Sequence, residues 1–211
     1  MPNWCNNTLE LEHKDPAMIE RAKAAMMRGE FLHEFIPVPK ELSETVSGFM
    51  GEDKREFHEA QMARNIEQFG HKDWYSFCIA NWGTKWDVGG DDYGTPTITE
   101  DGKMIAGFDS AWAPPTNAME KLAAMGFTVK LYYYEPGMCF AGIWEGNEDY
   151  SNDDYYEYGD MSSDEVAETL PAELNDMFCI SDTVAEYEAE SADDDENLNI
   201  DLDGGVSATN E

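Results

Sequence analysis

At 211 residues, with 42% hydrophobic and 12% aromatic residues, the chain can hold one domain of ordinary size with a tail, or two small ones. Its 13 Lys and Arg face 45 Asp and Glu for a formal net charge of −32, and all 13 bases lie in 1–130, leaving 24 acids and no base after Lys130. A field of that sign repels nucleic-acid phosphate and anionic membrane and draws in basic proteins, so direct nucleic-acid or membrane binding is not expected.

Trp4–Glu12 reads as a strand, with Leu9 and Leu11 on one face and Thr8, Glu10 and Glu12 on the other. Asp15-Pro16 supplies an N-cap and a proline at the first helical position. Ile19, Ala22 and Met26 follow at helical spacing, and Gly29 ends the helix. Phe31–Val38, with Pro37 and Pro39, reads as an extended connection. Phe57, Ala60 and Arg64 suit a helix closing near Gly70, so 31–80 is expected as an insertion packed on the sheet. Asp73–Asp87 is unusually aromatic, and Gly89-Gly90-Asp91-Asp92 breaks the chain. Thr95–Thr99 and Met104–Trp112 read as a hairpin through the Asp101-Gly102 turn. Pro114-Pro115 opens a helix in which Met119, Leu122 and Met125 share a face and Gly126 ends it.

Val129–Trp144 is the organising hairpin. Val129, Leu131 and Tyr133 alternate with Lys130, Tyr132 and Tyr134, and the return strand carries Phe140, Gly142 and Trp144. Glu135-Pro136-Gly137-Met138 fits a type II turn, with glycine taking φ > 0. Residues 147–160 mix acid and tyrosine without clear periodicity. Ser162 and Glu165 form a capping box opening a helix through Leu170, and Pro171 separates it from a second piece, Ala172–Ile180. The expected layout is a domain at 1–146, an acidic and partly helical extension at 147–190, and a disordered acidic tail at 191–211. Strand, helix, hairpin, helix, hairpin is the order of an α+β, ferredoxin-like antiparallel sheet with helices on one face.

Several motifs carry a resemblance. The opening Met1-Pro2-Asn3-Trp4-Cys5-Asn6-Asn7, the segment Asn81-Trp82-Gly83-Thr84-Lys85-Trp86-Asp87, and Phe108-Asp109-Ser110-Ala111-Trp112-Ala113-Pro114-Pro115 form part of the set. With Tyr133-Tyr134-Glu135-Pro136-Gly137 they resemble the YubB-like family of plasmid and phage proteins, over roughly residues 1–146. The resemblance implies a ferredoxin-like fold and a mobile-element origin, and brings no catalytic residues with it.

Catalytic and metal chemistry find little support. His13, His33, His58 and His71 form no short-spaced pairs with each other or with Cys5, Cys78, Cys139 and Cys179, so neither a metal site nor a cofactor is expected. Asn199–Gly204 alternates oxygens like a calcium loop but lacks the first Asp and the twelfth Glu. No Ser or Cys sits in a nucleophile elbow, and the chain reads as non-enzymatic. Scattered cysteines, no signal-like N-terminus and no bilayer-length apolar run point to a reducing cytoplasm, and the resemblance implies that this is the cytoplasm of a bacterial host.

Two candidate surfaces remain. In Asn81–Asp87, Trp82 and Trp86 offer stacking surfaces and Asn81, Lys85 and Asp87 polar contacts, as in a recognition loop. Alternatively the tryptophans fill the sheet–helix interface, and the dominance of large aromatics in cores favours that. The second surface is Asp153, Asp154, Tyr155, Tyr156, Glu157, Asp160, Asp164, Glu165, Glu168, Glu173 and Asp176, with Tyr158 as a further aromatic anchor. Like charges at helical spacing repel by about 0.2–0.5 kcal/mol per pair, which a basic partner relieves. A row of carboxylates can imitate duplex DNA, which carries one charge per about 1.7 Å of axis. The expected function is therefore inhibition of a basic, DNA-binding host protein by DNA mimicry. Open beside it are an interaction module using the Trp82/Trp86 surface with the acid only solubilising, an enzyme of unrecognised type, and a homodimer.

Overall fold

Alternation along the first strand orients the sheet. The computed structural model describes residues 3–90 and 93–203, with side chains as far as Ser191. β1 (Trp4–His13) buries Cys5, Asn7, Leu9 and Leu11 on one face. α1 (Pro16–Arg28) starts where the Asp15 carboxylate accepts from Ala17 N and stops at Gly29 with φ 70°, burying Ile19, Ala22, Ala25 and Met26. The insertion follows as α2 (Phe31–Phe35), α3 (Lys40–Ser43), a 3₁₀ turn at Glu52–Lys54, α4 (Arg55–Phe69) and α5 (Trp74–Trp82). Then come β2 (Thr97–Ile98), β3 (Met104–Ala111), α6 (Thr116–Ala124), β4 (Phe127–Glu135), β5 (Phe140–Gly146) and β6 (Ser151–Glu157). The chain continues into α7 (Ser163–Thr169), α8 (Ala172–Phe178) and α9 (Ile180–Asp203).

The sheet order is β2-β3-β1-β4-β5-β6, with β1 antiparallel to both β3 and β4. Reading β1-α1-β2-β3-α6-β4 alone gives the ferredoxin-like arrangement, so the fold is α+β with its central strand first in sequence. Helices α2–α5 are inserted between α1 and β2, and β5 and β6 extend the sheet beyond β4. The core joins Leu9, Leu11, Phe108, Val129, Leu131 and Trp144 of the sheet to Met26, Met119 and Leu122 of the helices. Phe31, Phe35 and Trp82 of the insertion belong to the same core.

Four local expectations are corrected. Phe31–Phe35 is a helix rather than an extended connection, because its first N–H groups are capped from a distant residue described below. Gly137 does not take the left-handed step of a type II turn. Cys139 does, at φ 54°, because the fully buried Glu135 carboxylate accepts from Met138 N and holds a four-residue loop between Glu135 and its partner Phe140. Met125 lies outside the buried face of α6, which is Ala118, Met119, Leu122 and Ala123, because the helix ends at Ala124. Residues 151–157, which show no periodicity, form β6, exposed along almost its whole length.

The chain divides into two compact units, Met1–Tyr155 and Tyr156–Glu211. In the second, Ser162 and Glu165 make the expected capping box, and Val166, Leu170, Leu174 and Ile180 are buried. Ser163 ties α7 to α9, its backbone N–H and hydroxyl donating to the Glu188 carboxylate at 3.1 and 2.8 Å. α9 runs through the beginning of the stretch expected to be disordered, whose residues 204–211 lie outside the described residues. The calcium-like run falls on side chains outside the described ones.

Candidate functional site

The segment 81–87 divides into packed and exposed residues. Asp73 and Ser76 cap the start of α5 reciprocally, and Gly83, with φ 88°, closes its end onto Cys78 O and Ile79 O. This places Trp82 in the core at 4% exposure, its Nε1 donating to Ile36 O at 3.0 Å. Asp87 is the distant cap of α2. Its Oδ1 accepts from Leu32 N at 2.7 Å and Val88 N at 2.9 Å, and its Oδ2 from His33 N at 3.0 Å. Burial raises the Asp87 carboxyl above the usual carboxylate value, and the three N–H groups pull the other way. Asn81 donates to Phe77 O at 2.9 Å and accepts from Lys121, whose ammonium pKa burial lowers. Asn81, Trp82 and Asp87 therefore serve the fold; of the two tryptophans expected to fill the interface, Trp82 does and Trp86 does not.

Lys85 and Trp86 do not follow that pattern. Trp86 is 40% exposed and stacks on Trp112, with ring centroids 6.4 Å apart and planes at 25°. Trp4 tilts against Trp86 from the other side at 6.0 Å. Lys85 Nζ stands 4.5 Å from the Trp86 ring, 5.1 Å from Trp112 and 5.9 Å from Tyr75, a cation over three aromatic faces. Trp112 holds φ 67°, a left-handed conformation costly for a bulky residue, and donates its backbone N–H to Asn3 O at 2.9 Å. Trp4, Trp112 and Tyr75 were not selected by spacing. Only the pairing of Trp4 with Ala111 across β1 and β3 brings the ends of those strands to the 81–87 segment. Beside the cluster lies a shallow groove of about 310 Å³ lined by Val38, Trp74, Cys78, Trp82, Lys85 and Trp86. Desolvation pushes the Cys78 thiol up to about 12, so the cysteine of this groove is protonated and not a ready nucleophile.

The acidic candidates fall on both units. Asp153, Asp154 and Tyr155 lie on β6 within the first. Tyr133 Oη donates to Asp153 Oδ1 at 2.7 Å, and loss of water raises that carboxyl above its ordinary value. Gly142 makes the contact possible, since a Cβ there would meet Tyr133 Oη at 2.2 Å. The Tyr155 ring is 50% exposed and tilts against Phe140. Tyr156, Glu157, Asp160, Asp164, Glu165, Glu168, Glu173 and Asp176 belong to the second unit. Tyr158 is buried there and is not an exposed anchor. Glu165 is held by the Ser162 backbone N–H at 2.8 Å, which keeps its carboxyl below the usual range, so it serves the start of α7. Asp164, Glu168, Glu173 and Asp176 lie on the exposed sides of α7 and α8. Among the described residues no group of three or more His, Cys, Asp or Glu could hold a metal ion, and no helix is long and apolar enough to cross a membrane.

The sheet order and the two helices on it define the class as a ferredoxin-like α+β domain. Residues 81–178 match the family model described as the ferredoxin-like domain in Api92-like protein. Among solved structures, the chain is similar to the crystal structure of a protein Api92 from Yersinia pseudotuberculosis, at 12% identity and a TM-score of 0.43. That likeness covers 75% of this chain and 99% of the other. No curated protein shows a significant match to the chain.

Proposed function

We propose that the protein is a non-catalytic binding protein whose acidic second unit docks on the basic surface of a DNA-binding protein. The observation that carries this reading is residues 156–211, which hold 18 acidic residues and neither Lys nor Arg. Acids occupy the outer sides of α7 and α8, while Val166, Leu170 and Leu174 are buried. The carboxylates therefore ride on an ordered carrier rather than a coil, which lowers the ordering cost of docking. Their mutual repulsion is relieved when a cationic surface arrives. The resemblance to YubB-like plasmid and phage proteins supplies the setting: a mobile element acting in a bacterial cytoplasm on a host defence nuclease or DNA-processing enzyme.

The test is capture from host lysate on the immobilised full-length chain, eluting first with duplex DNA and then with salt. The expected result is release of DNA-binding proteins by duplex DNA and by about 0.5 M salt. A complex unchanged by both would rule out electrostatic mimicry. The Trp4–Trp86–Trp112 cluster favours a second reading, an aromatic protein-interaction surface on the first unit, in which capture survives salt and is lost in Trp86→Ala.

A further inference from the structure

Hydrogen bonding in an antiparallel sheet alternates, so successive residues of a strand turn their N–H and C=O groups to opposite neighbours. On β3 the odd-numbered positions turn away from β1. Lys103 O accepts from Thr99 N at 2.9 Å, and Ile105 pairs with Thr97 of β2. At the other end Ala111 N donates to Thr84 Oγ1 at 3.0 Å, and the same hydroxyl donates to Ala111 O at 3.1 Å. Between these two closures lie Gly107 and Asp109. Among the described residues no hydrogen bond reaches their outward backbone groups. Gly107 is exposed, and a Cβ on it would meet nothing nearer than Asn7 O at 3.9 Å.

We infer that this gap in the edge of β3 is a strand-addition site, filled by a short extended segment of a basic protein that completes the ladder between Thr97 and Thr84. Open edges accept added strands through main-chain bonds, with side-chain contacts choosing the sequence. The charge of the chain chooses the occupant. The Asp109 carboxylate stands beside the gap, held by Asn6 Nδ2 at 2.7 Å and the Tyr93 hydroxyl at 3.2 Å. A second copy would bring its own Asp109 and its own net charge of −32 to the same edge, so self-pairing is opposed. A partner strand with arginine at alternate positions sets those residues beside Asp109, while its other face meets the Phe108 side of the sheet. Trp112, which follows Ala111, bounds the site. The inference does not rest on the acidic second unit.

Amide exchange of the full-length chain, read residue by residue, tests it. In the free protein Gly107 and Asp109 should exchange roughly tenfold faster than Phe108 and Ser110, whose N–H groups turn to β1. A heptapeptide of alternating arginine and valine should slow Gly107 and Asp109. The same peptide N-methylated at alternate amides, and an alternating glutamate–valine peptide, should not. The inference is overturned if Gly107 and Asp109 are already as slow as Phe108 in the free chain. It is equally overturned if the arginine peptide leaves them fast, if the N-methylated peptide protects them as well, or if the glutamate peptide does.

Discussion

In residues 1–155 charges of both signs pair with one another, whereas 156–211 hold acids alone. Arg21 and Arg28 close on Glu34 at 2.6 and 2.9 Å and hold its carboxyl below the usual range. Lys103 lies 2.8 Å from Glu10 and 3.4 Å from Glu12 across the strands, and Asp87 caps the start of a helix it is remote from in sequence. The second unit has no lysine or arginine with which to do any of this. Of its acids, Glu165 and Glu188 serve the start of α7. Charge thus finds partners of opposite sign in one unit and none among the Lys and Arg of the other, which is the contrast the proposed function draws on.

Four measurements break or sharpen that contrast. Trp82→Ala removes a buried indole and strands Ile36 O, and should destabilise the first unit by about 3–5 kcal/mol in urea unfolding. A loss under about 1 kcal/mol would show that the insertion is not part of the core. Asp87→Ala leaves the first turn of α2 without acceptors and should cost about 2 kcal/mol. Because burial raises the folded pKa of Asp87, the folded state holds that proton more tightly than the unfolded chain does. Its contribution therefore makes stability rise as pH falls through the raised value toward the ordinary carboxylate value, and the alanine variant should lack that rise.

Ser162→Ala should cost the second unit about 1 kcal/mol, read as faster amide exchange along α7. The sign at Glu165 is opposite to that at Asp87. With its folded pKa lowered, its contribution is present above the ordinary carboxylate value and disappears as pH falls through the lower folded one. The smallest effect is that of salt. Screening should raise the helix stability of the second unit by a few tenths of a kcal/mol for each like-charged pair, while in the first unit, where 13 bases face 27 acids, the loss at ion pairs such as Arg21–Glu34 offsets part of any gain. Helices α7 and α8 that weaken on adding salt would contradict the contrast.

Features specified by neighbouring residues were legible in the sequence. The alternation of β1, the Asp15-Pro16 start of α1 and the Ser162/Glu165 box stand as read, and the Asp101-Gly102 hairpin forms with its first strand cut from Thr95–Thr99 to Thr97–Ile98. What escaped was specified across the chain. The Asn152-Asp153-Asp154 stretch of β6 has little intrinsic strand preference and forms an exposed strand at the sheet edge. Helix α2 needs Asp87, and the tryptophan cluster needs the register of β1 on β3. In 81–87 the sequence marks the right segment but cannot divide it, because Trp82 and Trp86 differ only in which side of the turn at Gly83 they fall.

The cap that Asp87 places on α2 also bears on how the chain is made. Leu32 and His33 leave the ribosome well before the carboxylate that their N–H groups require, a separation of 55 residues for Leu32. A nascent chain halted short of residue 87 would carry Phe31, Leu32 and Phe35 on an unfinished helix, apolar and uncovered. Until residue 87 is made, those apolar side chains lack the helix start that folds them into the core, and over that interval the nascent chain is open to aggregation.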